Sequence, residues 1–346
     1  MAGDVLSDDV MYAATRSVPG DRTQPIVHSP ALRALYAEAA RVAASDMPIV
    51  VLGESGAGKE VLARYIHDES RRAGRSFCAI NSGAIPADLS ESILFGHARG
   101  AFTGADRTGK GIFDQADGGT LLLDEVADLS LAAQCALLRV LETGMVRPVG
   151  GSREHAVDVR LLAATNADLE TMVAAGKFRE DLFYRIAAVS LIVPPLRERP
   201  EDAEALAEAF VRQAGRFPDR ACPGLSATFR AALRAYAWPG NARELRNAVE
   251  RALVLTDGVQ LDASHLPARV QLANAAGRSE PGPARARMRP RTDSLFSRMD
   301  AYEARLIEEA LQATAGNRAE AAARLRVPLR TFMRKLSKHR SSTRDA

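Results

Sequence analysis

The sequence predicts an α/β protein built on a five-stranded parallel sheet with helices on both faces, and two observations lead to this fold class. Short apolar runs recur along the chain, as expected of strands that are buried on both faces of a parallel sheet. Segments such as 30–44 and 131–142 alternate with these runs and have apolar residues at helical spacing. The five predicted strands are residues 49–52, 77–80, 121–125, 159–164 and 189–193.

Length and composition are those of a globular protein with two or three domains. The chain has 346 residues, of which 47% are hydrophobic and 26% charged. The formal net charge of +3 is unevenly distributed, because acids lie near the start while the last quarter is rich in arginine. We therefore expect the C-terminal end to bind a polyanion.

Several kinds of site and location are not expected. Cys78, Cys135 and Cys222 lie far apart, and the histidines show no paired ligand spacing, so we predict buried thiols and no zinc site. No apolar run approaches the ~20 residues of a membrane-spanning helix, and no leader peptide is evident. These features favour a cytoplasmic protein without a membrane partner.

The N-terminal segment, residues 1–24, is polar and aperiodic, with breakers at Pro19 and Gly20. We predict a short disordered segment that is too small for a sensory domain. Control is then expected to come from a regulatory protein acting in trans, from the level of expression, or to be absent.

A glycine-rich loop follows the first predicted strand and precedes a predicted helix. In this setting, backbone N–H groups and the helix N-terminus surround phosphates, and Lys59 reaches their outer oxygens. Glu60 stands where a serine or threonine usually helps to hold magnesium. The alternative is a structural glycine turn. The predicted nucleotide-binding residues are Gly53, Glu54, Ser55, Gly56, Ala57, Gly58, Lys59 and Glu60.

Two adjacent acids, Asp124 and Glu125, end the third predicted strand. Buried and unpaired, they would repel each other, so a cation or a reacting water is expected beside them. We interpret Asp124 as the ligand of Mg²⁺ and Glu125 as the residue that polarises the attacking water.

Residues 100–105 form a glycine-bounded loop with an aromatic and a hydroxyl side chain at its tip. Glycines allow the backbone to bend back on itself. An exposed Phe102 is unfavourable unless a partner covers it, so either the loop contacts another protein or Phe102 folds into the core. The six residues are Gly100, Ala101, Phe102, Thr103, Gly104 and Ala105.

This loop follows Leu94-Phe95-Gly96-His97 and precedes the run from Gly118 to Glu125, and together they resemble the signature of the sigma-54-dependent transcription activators, also called bacterial enhancer-binding proteins. The resemblance runs from about Ile26 to His339. That family is a branch of the AAA+ ATPases, so the resemblance implies ATP as cofactor. It also implies that the loop tip contacts sigma-54 and moves when ATP is hydrolysed.

The resemblance assigns further residues around the nucleotide. Asn81 is expected to pair with the catalytic Glu125 until nucleotide contacts release it, although a turn cap is the simpler interpretation of an asparagine at a strand end. Asn166 matches a position that senses the terminal phosphate. Residues 147–153 match a second loop that supports the signature loop, or are a solvated turn.

Arg179 and Arg185 resemble arginine fingers that reach the nucleotide of a neighbouring subunit. A guanidinium supplied across an interface stabilises charge on the transferred phosphoryl group. Surface ion pairs with Glu180 or Asp181 are the alternative. If the arginines are fingers, an isolated subunit hydrolyses ATP poorly and a ring is required.

The helical lid contains the run Trp238 to Asn247, which is similar to the family's lid motif. Arg243 falls at the second sensor, which couples the position of the lid to the nucleotide. We also expect Trp238 to lie in the core and Asn241 to cap a helix, with Glu244 completing a capping box.

The C-terminal part is predicted to be a linker followed by three short helices. Residues 271–297 are rich in Gly, Pro and Arg and cannot form a core. Residues 298–346 resemble a Fis-type helix-turn-helix that enters the major groove of DNA, with Arg326 where the turn usually has glycine. A dimerisation module is the alternative. The predicted DNA-binding residues are Arg330, Thr331, Arg334, Lys335 and Lys338.

The predicted domains are an AAA+ α/β ATPase subdomain at 25–197 and a helical lid at 198–270, followed by the linker and the DNA-binding domain. We expect a sigma-54-dependent activator that binds enhancer DNA. As a ring, hexameric in the family's manner, it would hydrolyse ATP to ADP and phosphate and convert the closed sigma-54 polymerase complex to the open one. Two alternatives stay open: a nucleotide-controlled DNA-binding regulator that never contacts sigma-54, and a co-activator subunit of a mixed ring.

Overall fold

The structure is a computed structural model that describes residues 14–17, 25–102, 104–214, 223–256 and 259–277, with residues 314, 317, 321 and 324. The chain divides into two compact units, residues 1–279 and 280–346. Thr103, Arg326 and the five predicted DNA-binding residues lie outside the described part of the chain.

A six-stranded sheet organises the first unit, in the order β1-β3-β4-β7-β2-β8. Five neighbouring strands run parallel, which confirms the predicted parallel sheet. The ten strands of the described residues are β1 (Ala14–Ser17), β2 (Ile49–Leu52), β3 (Phe77–Asn81), β4 (Thr120–Asp124), β5 (Met145–Val146), β6 (His155–Ala156), β7 (Arg160–Thr165), β8 (Val189–Ile192), β9 (Gly224–Leu225) and β10 (Gln260–Leu261).

The sixth strand, β1, is a difference from the sequence prediction, which treated residues 1–24 as disordered. β1 pairs antiparallel with β3, from Ala14 opposite Ile80 to Ser17 opposite Phe77. Its sequence has no alternation of apolar and polar residues that would predict a strand. An edge strand does not require this pattern, because backbone hydrogen bonds to its neighbour can hold it.

Eleven α-helices are described: α1 (Pro30–Ala43), α2 (Lys59–Asp68), α3 (Ser90–Phe95), α4 (Ile112–Gln115), α5 (Leu131–Thr143), α6 (Leu169–Ala174), α7 (Glu180–Ile186), α8 (Pro200–Gln213), α9 (Ala227–Ala235), α10 (Asn241–Leu255) and α11 (Ala268–Gly277). None of the helices in the described residues is long and apolar enough to cross a membrane.

The two faces of the sheet carry separate cores. Because successive strand side chains point to opposite faces, Leu121 and Leu123 of β4 pack into one core with α3, α5 and α7, while Leu122 packs into the other with α1 and α2. This arrangement explains why the strands are continuously apolar. It also brings the carboxyl ends of the parallel strands to one edge, beside the loop that precedes α2.

The lid has its own core, centred on the buried Trp238, whose indole Nε1 donates to the carbonyl of Leu233 at 2.8 Å. Its burial agrees with the sequence prediction. The predicted linker start at residue 271 is wrong, because α11 continues to Gly277. The alanine-rich stretch 271–277 has high helix propensity, and Val270 anchors it in the lid core.

Candidate functional site

The phosphate loop lies between β2 and α2, where three glycines take backbone conformations that other residues rarely adopt. Gly53, Gly56 and Gly58 have φ of 151°, 73° and 107°. A Cβ on Gly53 would lie 2.9 Å from the carbonyl oxygen of Val193, and one on Gly56 would lie 2.6 Å from that of Gly240. Neither position can carry a side chain without moving the neighbouring backbone.

Lys59 begins α2 and is only 6% exposed. Its Nζ donates to the carbonyls of Gly53 at 3.0 Å and Glu54 at 3.5 Å, and lies 3.5 Å from Glu125 Oε1. The ammonium therefore lies between the phosphate loop and the acidic strand end. The side chain of Glu60, the next residue, is exposed.

The acidic pair follows β4 in a strained turn. Glu125 has φ 51° and ψ 49°, the left-handed region that is costly for a residue with a side chain. Its Oε1 faces Lys59, and its Oε2 accepts the backbone N–H of Asn166 at 3.1 Å. The turn thus aims the Glu125 carboxylate at the phosphate loop and at the end of β7.

Asp124 is partly buried, and its pKa is raised, first by burial and then by the charge of Glu125, while Lys59 opposes the shift. Burial and the neighbouring charge disfavour the ionised form of this carboxyl group, and a nearby cation would favour it. No group of three or more metal-ligating side chains converges within the described residues. Asp124 therefore fits Mg²⁺ in the way this ion is usually held, by one or two carboxylates with water and substrate phosphates.

The side chain of Asn81 is not where the resemblance implied. Its Nδ2 lies 3.5 Å from Asp124 Oδ2, and its Oδ1 accepts the N–H of Gly83 at 2.9 Å. Asn81 lies directly opposite Asp124 in the β3–β4 register, so it contacts this residue and not Glu125. The second interaction is the turn cap that was the alternative interpretation.

The lid contributes Arg243, whose Nη1 donates to Ser55 Oγ at 2.8 Å. The predicted capping box is not formed, because the N-cap of α10 is Gly240, which has no side chain to accept a hydrogen bond. Glu244 instead accepts the N–H of Gly240 at Oε2, 2.8 Å away. The cap predicted for Asn241 is wrong. Asn241 has φ 51° and directs its side chain to Leu196, Glu54 and Ser55 instead.

Three residues near the phosphate loop have contacts that were not predicted from the sequence: Asn241, Arg197 and Arg199. Arg197 forms a 2.8 Å ion pair with Glu54. Arg199 is 3% exposed and donates from Nη2 to the carbonyl of Ala57 at 2.6 Å. The predominantly charged run from 197 to 202, shortly after Pro194 and Pro195, is the signal that could have indicated the two arginines. The strand before these prolines, β8, was predicted to be buried, but as the edge strand it has only Leu191 buried.

The two candidate finger arginines lie on and before α7, with exposed side chains. Arg179 is paired with Asp181 through two hydrogen bonds of 3.0 and 2.6 Å, which is the surface ion pair of the alternative interpretation. Arg185 donates to the carbonyl of Leu141 at 2.7 Å. Gln134, buried in α5, accepts the backbone N–H of Arg179 and so holds the start of α7.

The signature loop rises between α3 and α4, and its base is closed by a bridge between His97 and Gly109. Phe102 is 39% exposed, and its ring packs against that of His97 in a T-shaped arrangement with the centroids 5.1 Å apart. Phe102 is therefore neither fully exposed at the tip nor folded into the core. It lies outside the core and is partly covered by its own loop.

The loop at residues 147–153 packs under the signature loop. Val149 donates to the carbonyl of Gly96 at 2.8 Å and accepts the N–H of Ala98 at 2.9 Å. Gly150, with φ 71°, lies so close to Ala101 that a Cβ would come within 2.8 Å of the Ala101 Cβ. These contacts favour the supporting loop over the solvated turn.

Comparison with known proteins finds related sequences over most of the chain. Residues 26–192 match the family described as the Sigma-54 interaction domain, and residues 197–282 match an AAA+ ATPase lid domain. Residues 299–339 match the bacterial regulatory proteins of the Fis family.

Individual relatives match over nearly the same span. The hydrogenase transcriptional regulatory protein HoxA of Cupriavidus necator is 48% identical over 87% of this chain and 62% of HoxA. The response regulator protein PilR of Pseudomonas aeruginosa is 44% identical over 90% of this chain and 68% of PilR. The crystal structure of NtrX from Brucella abortus in complex with ATP is 33% identical, with a TM-score of 0.66, and covers 92% of this chain and 70% of NtrX. The chain thus spans between 62% and 70% of these three relatives.

Proposed function

Because this chain belongs to the family of sigma-54-dependent transcription regulators, we propose that it hydrolyses ATP as a ring and uses the energy to open sigma-54 promoter complexes. The observation that carries this proposal is the partly exposed Phe102 on a supported loop, in the same subdomain as the phosphate loop and the acidic pair. A regulator that never contacted sigma-54 would have no use for such a tip.

For the nucleotide, we assign the loop residues 53–60 to binding the phosphates and Lys59 to binding the outer phosphate oxygens. Bound Mg²⁺ would neutralise phosphate charge. Glu125 accepts a hydrogen bond from the attacking water, because its carboxylate is already directed to this edge by Asn166 and Lys59. The crystal structure of the relative NtrX in complex with ATP supports ATP as the nucleotide.

For the ring, the proposal assigns Arg179 and Arg185 to the site of the adjoining subunit. Both side chains are exposed, and their hydrogen bonds go to Asp181 and to a carbonyl of α5, away from their own phosphate loop. Arg243 and Asn166 are assigned to sensing the nucleotide from within the same subunit.

For the partners, the proposal assigns residues 100–105 to sigma-54 and Arg330, Thr331, Arg334, Lys335 and Lys338 to enhancer DNA. The match of residues 299–339 to the Fis family supports the second assignment. A basic recognition helix would give binding that weakens steeply with salt.

The test is conversion of a closed sigma-54 polymerase complex to an open one by the purified protein and ATP. Thr103→Ala should lower the yield of open complex at least about tenfold while ATP hydrolysis stays unchanged, because only the contact with sigma-54 is lost. Ser190→Ala, which removes an exposed hydroxyl of β8, is the control and should behave like the parent. Full activation by the Thr103 variant would contradict the assignment of the loop.

A further inference from the structure

The lid holds the phosphate loop through a set of hydrogen bonds in which the lid always donates and the loop always accepts. Each of the loop residues 54–57 accepts at least one hydrogen bond from the lid, and every donor belongs to residues 197–243. The six bonds are Arg197 to Glu54 Oε2 (2.8 Å), Asn241 to Glu54 Oε2 (3.1 Å), Asn241 to the Ser55 carbonyl (3.1 Å), Arg243 to Ser55 Oγ (2.8 Å), the Ala242 N–H to the Gly56 carbonyl (3.0 Å) and Arg199 to the Ala57 carbonyl (2.6 Å).

Because the loop carbonyls point to the lid, the direction of the loop's own N–H groups is also determined. In a planar trans peptide, the carbonyl of one residue and the N–H of the next point in opposite directions. Because the carbonyls of Ser55 and Ala57 face the lid, the N–H groups of Gly56 and Gly58 face away from it. Those are the donors that a phosphate-binding loop offers to its ligand.

Among the lid donors, Asn241 has both polar atoms of its side chain in hydrogen bonds. It is fully buried, and its Oδ1 accepts the N–H of Leu196 at 2.7 Å while its Nδ2 donates to Glu54 and Ser55. Its φ of 51° lies in the left-handed region, which asparagine tolerates better than most residues. The backbones of loop and lid lie close together beside Asn241, since a Cβ on Gly56 would come within 2.6 Å of the Gly240 carbonyl oxygen.

We infer that Asn241 is a positioning residue for nucleotide binding and hydrolysis, because it joins Leu196 of the lid core to the Glu54 and Ser55 end of the phosphate loop. This inference rests on the proposed ATPase function. A movement of the lid is transmitted through this amide to the peptide whose N–H meets the phosphate, in addition to any action of Arg243.

The variant that isolates this role is Asn241→Asp. Aspartate keeps the shape, tolerates the left-handed backbone and still accepts the N–H of Leu196. It replaces the donor that faces Glu54 and Ser55 by a charged acceptor, so the bonds to the loop become repulsive. Asn241→Gly, which keeps the backbone conformation and removes the side chain, is a second variant in case the aspartate variant does not fold.

We expect Asn241→Asp to raise the KM for ATP at least about tenfold, with a smaller fall in kcat, since loop geometry governs binding of ground state and transition state alike. Adding Glu54→Gln supplies an amide donor opposite the new carboxylate and should recover most of the loss. Gln213→Glu makes the same amide-to-acid change on the exposed lid surface and should leave KM within about twofold of the parent. Unfolding midpoints are recorded for the parent and every variant.

Two results would overturn the inference: a KM within about twofold of the parent in Asn241→Asp or Asn241→Gly, or a double variant no better than Asn241→Asp. A parent protein that assembles but does not hydrolyse ATP would instead refute the proposed function. ATP hydrolysis by the assembled parent protein therefore distinguishes the two failures.

Discussion

At the scale of single residues, the site depends on a few side chains that the fold holds in unfavourable states. Glu125 has a left-handed backbone, which costs about 1 kcal/mol, and its neighbour Asp124 has a raised pKa. Contacts with Lys59 and with the N–H of Asn166 hold the Glu125 carboxylate at this edge, while burial and the charge of Glu125 raise the pKa of Asp124 against the opposing effect of Lys59. Such strain is typical of a site that is organised before its ligand arrives.

His67 shows the same principle in the structural core. It is 2% exposed, and its Nδ1 lies 2.9 Å from Thr120 Oγ1. Burial, and then the charges of Arg64 and Arg160, lower its pKa to about 4. Because this lies below the value of about 6.5 for an unfolded histidine, the unfolded state binds the proton first as the pH falls.

We predict that the stability supplied by neutral His67 is complete above pH 6.5 and is lost between pH 6.5 and about 4, by up to about 3 kcal/mol. Unfolding by denaturant at several pH values measures the loss. In His67→Asn, which cannot take up this proton, the free energy of unfolding should fall less over the same window. Parallel pH profiles for the two proteins would show that His67 is not the group responsible.

At the scale of elements, the two loops above the sheet form one unit. Val149 is bonded to Gly96 and Ala98 on the N-terminal side of the signature loop's base, and Gly150 contacts Ala101, the residue before Phe102. The Phe102 ring packs against His97, whose Nδ1 is hydrogen-bonded with Ser92 Oγ at 2.8 Å. The position of the tip is therefore set by the second loop and by α3, so a movement of either would be passed on to Phe102.

We predict that Gly150→Ala displaces the base of the signature loop, since the new Cβ would lie 2.8 Å from that of Ala101. Amide hydrogen exchange at residues 98–102 should become at least about tenfold faster, with ATP hydrolysis preserved. Gly118→Ala is a matched control, because Gly118 has the same φ of 71° and no atom within 4 Å of the added Cβ. Equal exchange in both variants would mean that backbone strain, and not the contact with Ala101, causes the effect.

At the scale of the whole molecule, hydrolysis in the proposed ring requires residues from two copies. Glu125 would act on the nucleotide of its own subunit, and Arg185 on that of the next. Gln134 links these two parts within one chain, because it accepts the N–H of Arg179 and donates to the carbonyl of Leu129, which closes the turn after Glu125. In the proposed ring, a change at one nucleotide would thus reach the arginines assigned to the next.

We predict that Arg185→Ala and Glu125→Gln are each inactive alone but recover hydrolysis when mixed. In a random equal mixture, roughly a quarter of the interfaces combine an intact acid with an intact arginine, so activity should approach that fraction of the parent's. ATPase assays across mixing ratios measure it. Absence of recovery at every ratio, with assembly verified by light scattering, would exclude Arg185 as a residue acting in trans.

The sequence by itself determined the class of the fold, the strand that carries each motif and the order of the motifs. Continuous apolar runs specify strands buried on both faces, and glycines at 53, 56 and 58 specify a loop with left-handed turns, because these are local requirements of the backbone. The position of the acidic pair followed in the same way, since the carboxyl ends of parallel strands share one edge.

Only the tertiary structure decided which partners these residues have. Asn81 faces Asp124 because strand register, which depends on packing across the sheet, places them opposite each other. Asn241 faces the phosphate loop and not its own helix, because a left-handed turn after Trp238 directs it across 187 residues of sequence to Glu54. Contacts between residues so far apart depend on how the lid closes on the sheet, and no local pattern in the chain encodes that geometry.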